Sequence, residues 1–267
     1  MIVYPNAKIN LGLNIIGRRA DGYHDICTVM YPIPLTDELE IEKADGFSFS
    51  IDGIPLADDG RENLVVRAWR MVHEAYNIGN VSIRLTKRIP SGAGLGGGSA
   101  DAAFTVKALS ELFGLRISAE EMQRMVARLG ADCAFFIKNV PALCEGIGDR
   151  MTEIALDLGG YVLVLVKPDV FVSTADAYAG CTPQPWERGL EKLIRHPIEE
   201  WKNAIKNDFE RQVFAKFPEL EGLKNGFYDA GALYSAMSGS GSSVFGIFAK
   251  SHDINTLRTA NTFKMEL

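Results

Sequence analysis

The run Ile89-Pro90-Ser91-Gly92-Ala93-Gly94-Leu95-Gly96-Gly97-Gly98-Ser99-Ala100-Asp101 places five glycines within residues 92–98 and ends in an apolar helical pattern. Glycine lacks a Cβ, so its backbone reaches positive φ and lets an anion approach the N–H groups closely. The helix that follows adds free N–H groups and the positive end of its dipole. The run therefore reads as a phosphate cradle, with a nucleotide as its natural occupant. A glycine loop that only turns the chain is the plainer alternative, but five glycines exceed what a turn needs.

The flanking residues separate the known kinds of phosphate loop. A P-loop ends in Gly-Lys-Ser/Thr, and no lysine follows these glycines. Gly92-x-Gly94-x-x-Gly97 does match a dinucleotide fingerprint after the strand-like residues 81–89. That fingerprint also requires a second strand bearing an acidic residue about 20 positions on. Instead, residues 102–113 read as a helix stopped at Gly114, and Ser118 to Glu121 is a capping box opening another helix up to Gly130.

The remaining chain shows strands early and helices later. Residues 7–16, 28–33, 39–42 and 47–51 alternate as strands, with a turn at 17–22, and Asn63 opens a helix to about His73. A change of character near residue 150 introduces the apolar strand 161–166. Charged helical segments follow at 197–205 and 208–217. The strand-like stretches 232–237 and 244–248 enclose a second glycine-serine turn, and 262–267 is a short last strand or tail. This order predicts a mixed α+β protein of two lobes, residues 1–152 and 153–267, rather than alternating parallel βαβ units. Whether a full helix follows Ser251 is not legible. With 267 residues and 47% hydrophobic content, each lobe can bury a core.

No basic-then-apolar leader opens the chain, and no apolar stretch reaches membrane-spanning length, so a cytoplasmic protein with no membrane partner is expected. The net charge of −6, without a basic block, argues against nucleic acid. Cys27, Cys133, Cys144 and Cys181 are scattered without metal-ligand or disulfide spacing and read as buried thiols.

Three separated stretches resemble the GHMP small-molecule kinases. Residues 90–100 look like the family's ATP-phosphate loop, residues 237–243 like its C-terminal glycine motif, and residues 7–11 like its opening strand. The resemblance implies a two-lobed GHMP kinase fold, with an N-terminal lobe like the second domain of ribosomal protein S5 and a ferredoxin-like C-terminal lobe. Residues 7–11 with 17–24, and also 129–136 and 145–148, are similar to a branch acting on a cytidyl diphosphate substrate in isoprenoid biosynthesis. ATP and Mg²⁺ are the implied cofactors, and a monomer or homodimer the implied assembly.

On this resemblance Lys8 and Asp132 carry the chemistry. Each is an ionisable residue in an apolar setting, which a structural salt bridge alone would also explain. Phosphoryl transfer needs a hydroxyl held in line, a group to orient it or take its proton, and positive charge. Asp132 is the base or positioner and Lys8 its electrostatic partner. ATP binding is assigned to Pro90, Ser91, Gly92, Ala93, Gly94, Leu95, Gly96, Gly97, Gly98, Ser99 and Ala100. Ser99 is a candidate Mg²⁺ or phosphate contact or a helix N-cap. Ala100 stands where the family usually has a second serine. Asp101, read in the first helical turn, suits the dipole as well as a metal. The substrate is assigned to Asn10, Tyr23, His24, Thr174, Tyr178, Ser238 and Gly239, with stacking and edge recognition of a base by Tyr23 and His24. Core packing is the alternative for Tyr178, and a plain turn the alternative for 238–243. Arg18 and Arg19 are read as facing solvent. A sibling kinase for mevalonate, homoserine or galactose, a nucleotide sensor and an RNA-binding module are the rival functions.

Overall fold

A computed structural model describes residues 1–55, 60, 62–184, 189–252 and 261–267. Five strands open the chain: β1 (Ile2–Val3), β2 (Asn6–Arg18), β3 (His24–Thr36), β4 (Glu38–Lys43) and β5 (Ser48–Gly53). α1 (Leu64–Tyr76) and β6 (Val81–Lys87) lead to the glycine run, and α2 (Gly97–Leu112), α3 (Ala119–Val126) and α4 (Phe135–Lys138) follow. Next come β7 (Ala142–Gly146), β8 (Arg150–Glu153), β9 (Tyr161–Val166), α5 (Thr174–Ala179), α6 (Leu190–Leu193) and α7 (Trp201–Ala204). The chain closes with α8 (Glu210–Lys216), α9 (Pro218–Asp229), β10 (Tyr234–Met237), β11 (Val244–Ala249) and β12 (Thr262–Glu266). The expected mixed α+β character is what is found. The final helix in question after Ser251 falls on residues 253–260, outside the described ones.

The chain divides into two compact units. The first comprises Met1–Ala7, Leu35–Ser91 and Gly96–Val140. Its sheet has the order β1-β4-β6-β5, with only β5 running parallel to its neighbour. In β6, Val81, Ile83, Leu85 and Lys87 are buried while Arg84 is exposed, the period-2 pattern of a strand with one covered face. The Asn63 side chain caps α1 by accepting from the Val65 N–H at 2.9 Å, and Asn77 ends it in the left-handed conformation. α2 buries Ala100, Ala102, Ala103 and Ala108, small residues that allow close approach of neighbouring helices.

Two helix boundaries differ from expectation. α2 begins at Gly97 rather than Ala102, because Gly96, at φ 71°, turns the chain directly into the helix. α3 is capped by Ser118 as expected, but ends at Val126 and gives way to turns.

The second unit comprises Lys8–Pro34, Gly92–Leu95 and Pro141–Leu267. One of its sheets has the order β2-β3-β7-β8 and the other β10-β11-β9-β12. β9 lies between β11 and β12 with Val162 to Val166 buried, which explains its uninterrupted apolar sequence. Counted along the chain, the latter sheet runs second-third-first-fourth, the antiparallel order of a ferredoxin-like fold. α8 and α9 lay Val213, Phe214, Leu220 and Phe227 into the core of this unit, with Phe209 and Phe248. Among the described residues no helix is long and apolar enough to cross a membrane.

Candidate active site

In the second unit, β2 carries Lys8 and Asn10 two residues apart, so both side chains leave the same face of the strand. Lys8 is 3% exposed, and its Nζ donates to Asn10 Oδ1 at 2.6 Å and to the Gly94 carbonyl at 3.0 Å. The Asn10 amide donates on to Thr28 Oγ1 at 2.9 Å, and that hydroxyl donates to the Gly12 carbonyl at 2.5 Å. An ammonium buried in this way requires such oxygens, since burial without them is costly.

The two glycine-rich segments meet here. Gly94 O also accepts from Ser238 Oγ at 2.9 Å, and the Ala93 carbonyl accepts from the Ser243 N–H at 3.3 Å. Gly94 has φ 73°, and a Cβ there would overlap the Ser238 carbonyl oxygen. Only glycine permits that approach. Asn207 holds the second segment from beneath, its buried amide donating to the carbonyls of Met237 and Gly239 at 2.8 Å each. Glu210 accepts from the Met237 N–H at 2.9 Å and from Lys224 at 2.6 Å. Ser238 is thus fastened to the first glycine segment, more than a turn requires.

The aromatic residues form a second group in the same unit. Thr174 and Tyr178 stand four apart on α5 and so share a helix face. The Tyr178 and His24 rings stack at 4.9 Å between centroids with 16° between planes, and Tyr178 meets Phe209 edge-on at 4.8 Å. Tyr178 both joins the core margin and presents a face to His24. Tyr23 is 62% exposed, and the Thr174 hydroxyl lies 3.1 Å from that of Ser240. Arg19 pairs with Asp21 at 3.0 Å and Asp25 at 3.3 Å, tying the β2–β3 turn.

In the first unit, the first helical bond of α2 runs from the Ala100 N–H to the Gly96 carbonyl at 2.9 Å. The N–H groups of Gly97, Gly98 and Ser99 therefore fall in the helix's open first turn. Ser99 is the third helical residue and Gly96 the N-cap, so Ser99 does not cap α2. Its hydroxyl instead meets Cys133, next to Asp132. Asp132 is half-buried in the turn before α4, and its carbonyl accepts from the Phe135 N–H at 3.2 Å. Ala100 is wholly buried, where a serine hydroxyl would need a partner.

Asp101 lies in the second turn of α2, not the first, and is 2% exposed in an ion pair with Lys87 at 2.7 Å. Helix-dipole stabilisation in the first turn is therefore not its role. Cys27, Cys133 and Cys144 are buried and Cys181 is half-buried, all four outside any disulfide; burial pushes Cys27, Cys133 and Cys181 up to about 11. The raised values keep Cys27, Cys133 and Cys181 protonated at neutral pH.

Sequence reasoning missed Asn207, Glu210, Lys87 and Phe171. A lysine in the apolar alternation of β6 was a legible signal. Phe171, 72% exposed, lies against Gly92, a proximity that chain order conceals.

A buried lysine beneath two interlocked glycine segments, on this α+β frame, defines a phosphate-handling protein, and the chain belongs to the GHMP kinase family. Residues 63–140 match the family's GHMP kinases N terminal domain and residues 190–267 its GHMP kinases C terminal domain. The chain is 50% identical over 273 residues to a Bacteroides fragilis protein named 4-diphosphocytidyl-2-C-methyl-D-erythritol kinase, covering 100% of both chains. A Parabacteroides distasonis protein of the same name is 50% identical over 250 residues, covering 94% of this chain and 92% of its own. A crystal structure of 4-(cytidine 5'-diphospho)-2C-methyl-D-erythritol kinase superposes with a TM-score of 0.80 at 34% identity, over 92% of this chain and 90% of the other.

Proposed function

We propose that this chain transfers the γ-phosphoryl group of ATP to the 2-hydroxyl of 4-diphosphocytidyl-2-C-methyl-D-erythritol, in the cytoplasm, as a step of non-mevalonate isoprenoid biosynthesis. The observation that carries the kinase reading is the Gly94 carbonyl, which accepts from both buried Lys8 and Ser238 and so locks one glycine segment to the other. The full-length relatives supply the substrate.

In this reaction a bond forms between the substrate oxygen and the γ-phosphorus, the bridge to the β-phosphate breaks, and the hydroxyl proton leaves. Asp132 orients that hydroxyl and receives the proton, acting chiefly as a positioner because the transition state is loose. Lys8, held by Asn10 and Gly94, supplies positive charge. Backbone N–H groups from Gly94 to Ser99 take the β- and γ-phosphates. Mg²⁺ accompanies ATP and offsets its charge; the Ser99 hydroxyl is an oxygen donor suited to such a hard cation. Tyr23, His24, Thr174 and Tyr178 take the cytidyl end, with Asn10, Ser238 and Gly239 contacting substrate near Lys8. His24 and Tyr178 stack on one another, and the base would stack on the outer face of that pair.

The test is ADP release by the purified protein with Mg-ATP and each of 4-diphosphocytidyl-2-C-methyl-D-erythritol, mevalonate and homoserine. Turnover confined to the cytidyl substrate is expected. Turnover with another alcohol alone discards the cytidyl assignment, and nucleotide binding without turnover on any of them points to a sensor.

A further inference from the structure

Residues 206–208 tie the strand that carries Lys8 to the second glycine segment, all within the second unit. The Leu13 N–H donates to the Lys206 carbonyl at 3.0 Å, and the Asp208 N–H donates to the Leu13 carbonyl at 2.8 Å, so Asn207 lies beside β2 as a short parallel bridge. Asp208 Oδ2 also accepts from the Ile15 N–H at 2.8 Å. From that footing the buried Asn207 amide donates to the carbonyls of Met237 and Gly239, while its Oδ1 accepts from the Phe209 N–H at 3.0 Å. Two acceptors on one side and a donor on the other allow the amide only one orientation. Because Glu210 takes the Met237 N–H, both backbone polar groups of Met237 are held by residues 207–210. Ser238 then donates to the Gly94 carbonyl, which also accepts from Lys8, and Lys8 stands on β2. The hydrogen bonds close a ring from β2 through Asn207, Ser238 and Gly94 to Lys8 and back to β2.

We propose that Asn207 is a positioning residue for phosphoryl transfer: by fixing residues 237–239 relative to β2 it fixes the Gly94 carbonyl, and with it the place of the Lys8 ammonium. This rests on the kinase reading above. A lysine side chain is long and flexible, and its charge helps a transition state only where that charge stands at the right point; a displacement of about 1 Å can cost about 100-fold in rate. Strand β2 fixes the root of Lys8 but not its tip. The tip is set by its oxygens, Asn10 Oδ1 on the same strand and the Gly94 carbonyl from another segment. The second of these keeps its place only while Ser238 keeps its own. An amide suits position 207 because it offers two donors to two carbonyls. An aliphatic side chain there leaves both carbonyls buried without a partner, and a carboxylate repels them.

The experiment compares the full-length wild type with Asn207→Asp, which keeps the size and the Oδ1 acceptor, and with Asn207→Ala, which removes the donors without adding a charge. Steady-state ADP release with Mg-bound ATP and 4-diphosphocytidyl-2-C-methyl-D-erythritol is measured well below each melting temperature, and the amide signals of Gly94 and Ser238 are followed by nitrogen–proton NMR. In Asn207→Asp kcat is expected to fall about tenfold or more while the KM for ATP stays within about threefold, with a smaller loss of kcat in Asn207→Ala and both amide signals displaced. A lowered melting temperature with wild-type kcat overturns the proposal, as does a Gly94 signal left in place in a folded variant. If Asn207→Asp does not fold, Asn207→Ala decides alone: reduced kcat supports the proposal and wild-type kcat overturns it. Failure of the proposal alone thus appears as an active wild type with equally active variants. Folded wild type that turns over no substrate removes the kinase reading, and the proposal with it.

Discussion

At the scale of single residues, the informative positions are charges set among apolar neighbours. Lys8 between Ala7 and Ile9, and Asp132 within residues 131–137, are conspicuous in the sequence for that reason, and Lys8 is sealed by Asn10 and Gly94. Asp132→Asn keeps the side chain's shape while removing its negative charge and basicity. Turnover is expected to drop by about two orders of magnitude or more, with ATP affinity within a few-fold of wild type; steady-state rates and nucleotide titration measure the two separately. Normal phosphorylation by the variant would make Asp132 structural. Lys87 offers the same sequence signal as Lys8, yet its partners at positions 37 and 101 are distant in the chain, and only folding reveals that they converge.

At the scale of elements, the glycine run is two pieces of structure joined in sequence. Gly92 to Leu95 packs on the segment 238–243, and Gly96 starts a helix. The glycine count signals tight backbone approach, but not that Gly94 approaches a carbonyl of residue 238. Gly94→Ala adds a Cβ that collides with that carbonyl at a positive φ. The expected result is a melting temperature lowered by several degrees, with a loss of at least about 2 kcal/mol, and ATP affinity weakened by more than about tenfold. Thermal denaturation and nucleotide titration check both, and wild-type behaviour would mean the interlock is dispensable. Helix starts at Asn63 and Ser118 were legible because capping is a local interaction, whereas the start of α2 was misplaced because it depends on the backbone of Gly96 rather than on a capping side chain.

At the scale of the whole molecule, Asp101, buried against Lys87, links stability to pH. The folded Asp101 binds its proton more tightly than an unfolded aspartate, whose ordinary value is 3.8. Its stabilising contribution is therefore complete below that value and lost as pH rises towards about 7. Wild type is expected to unfold in less denaturant at mildly alkaline than at mildly acidic pH, with a slope that Asp101→Asn reduces by up to about 1.4 kcal/mol per pH unit. Denaturant midpoints across pH measure this, and identical slopes would rule it out. The sequence by itself determined the α+β class, the strand alternation of 81–87, the side-chain caps at Asn63 and Ser118 and the backbone freedom of the glycine run, because these follow from local periodicity and local sterics. Tertiary structure alone decided that Gly94 carries the contacts of Lys8 and Ser238, that His24 stacks on Tyr178, that Asn207 supports residues 237–239, and that Asp101 answers Lys87 rather than a helix dipole. Those are pairings between residues far apart in the chain, and a hydrogen bond or ion pair acts through distance in space, which no local pattern encodes.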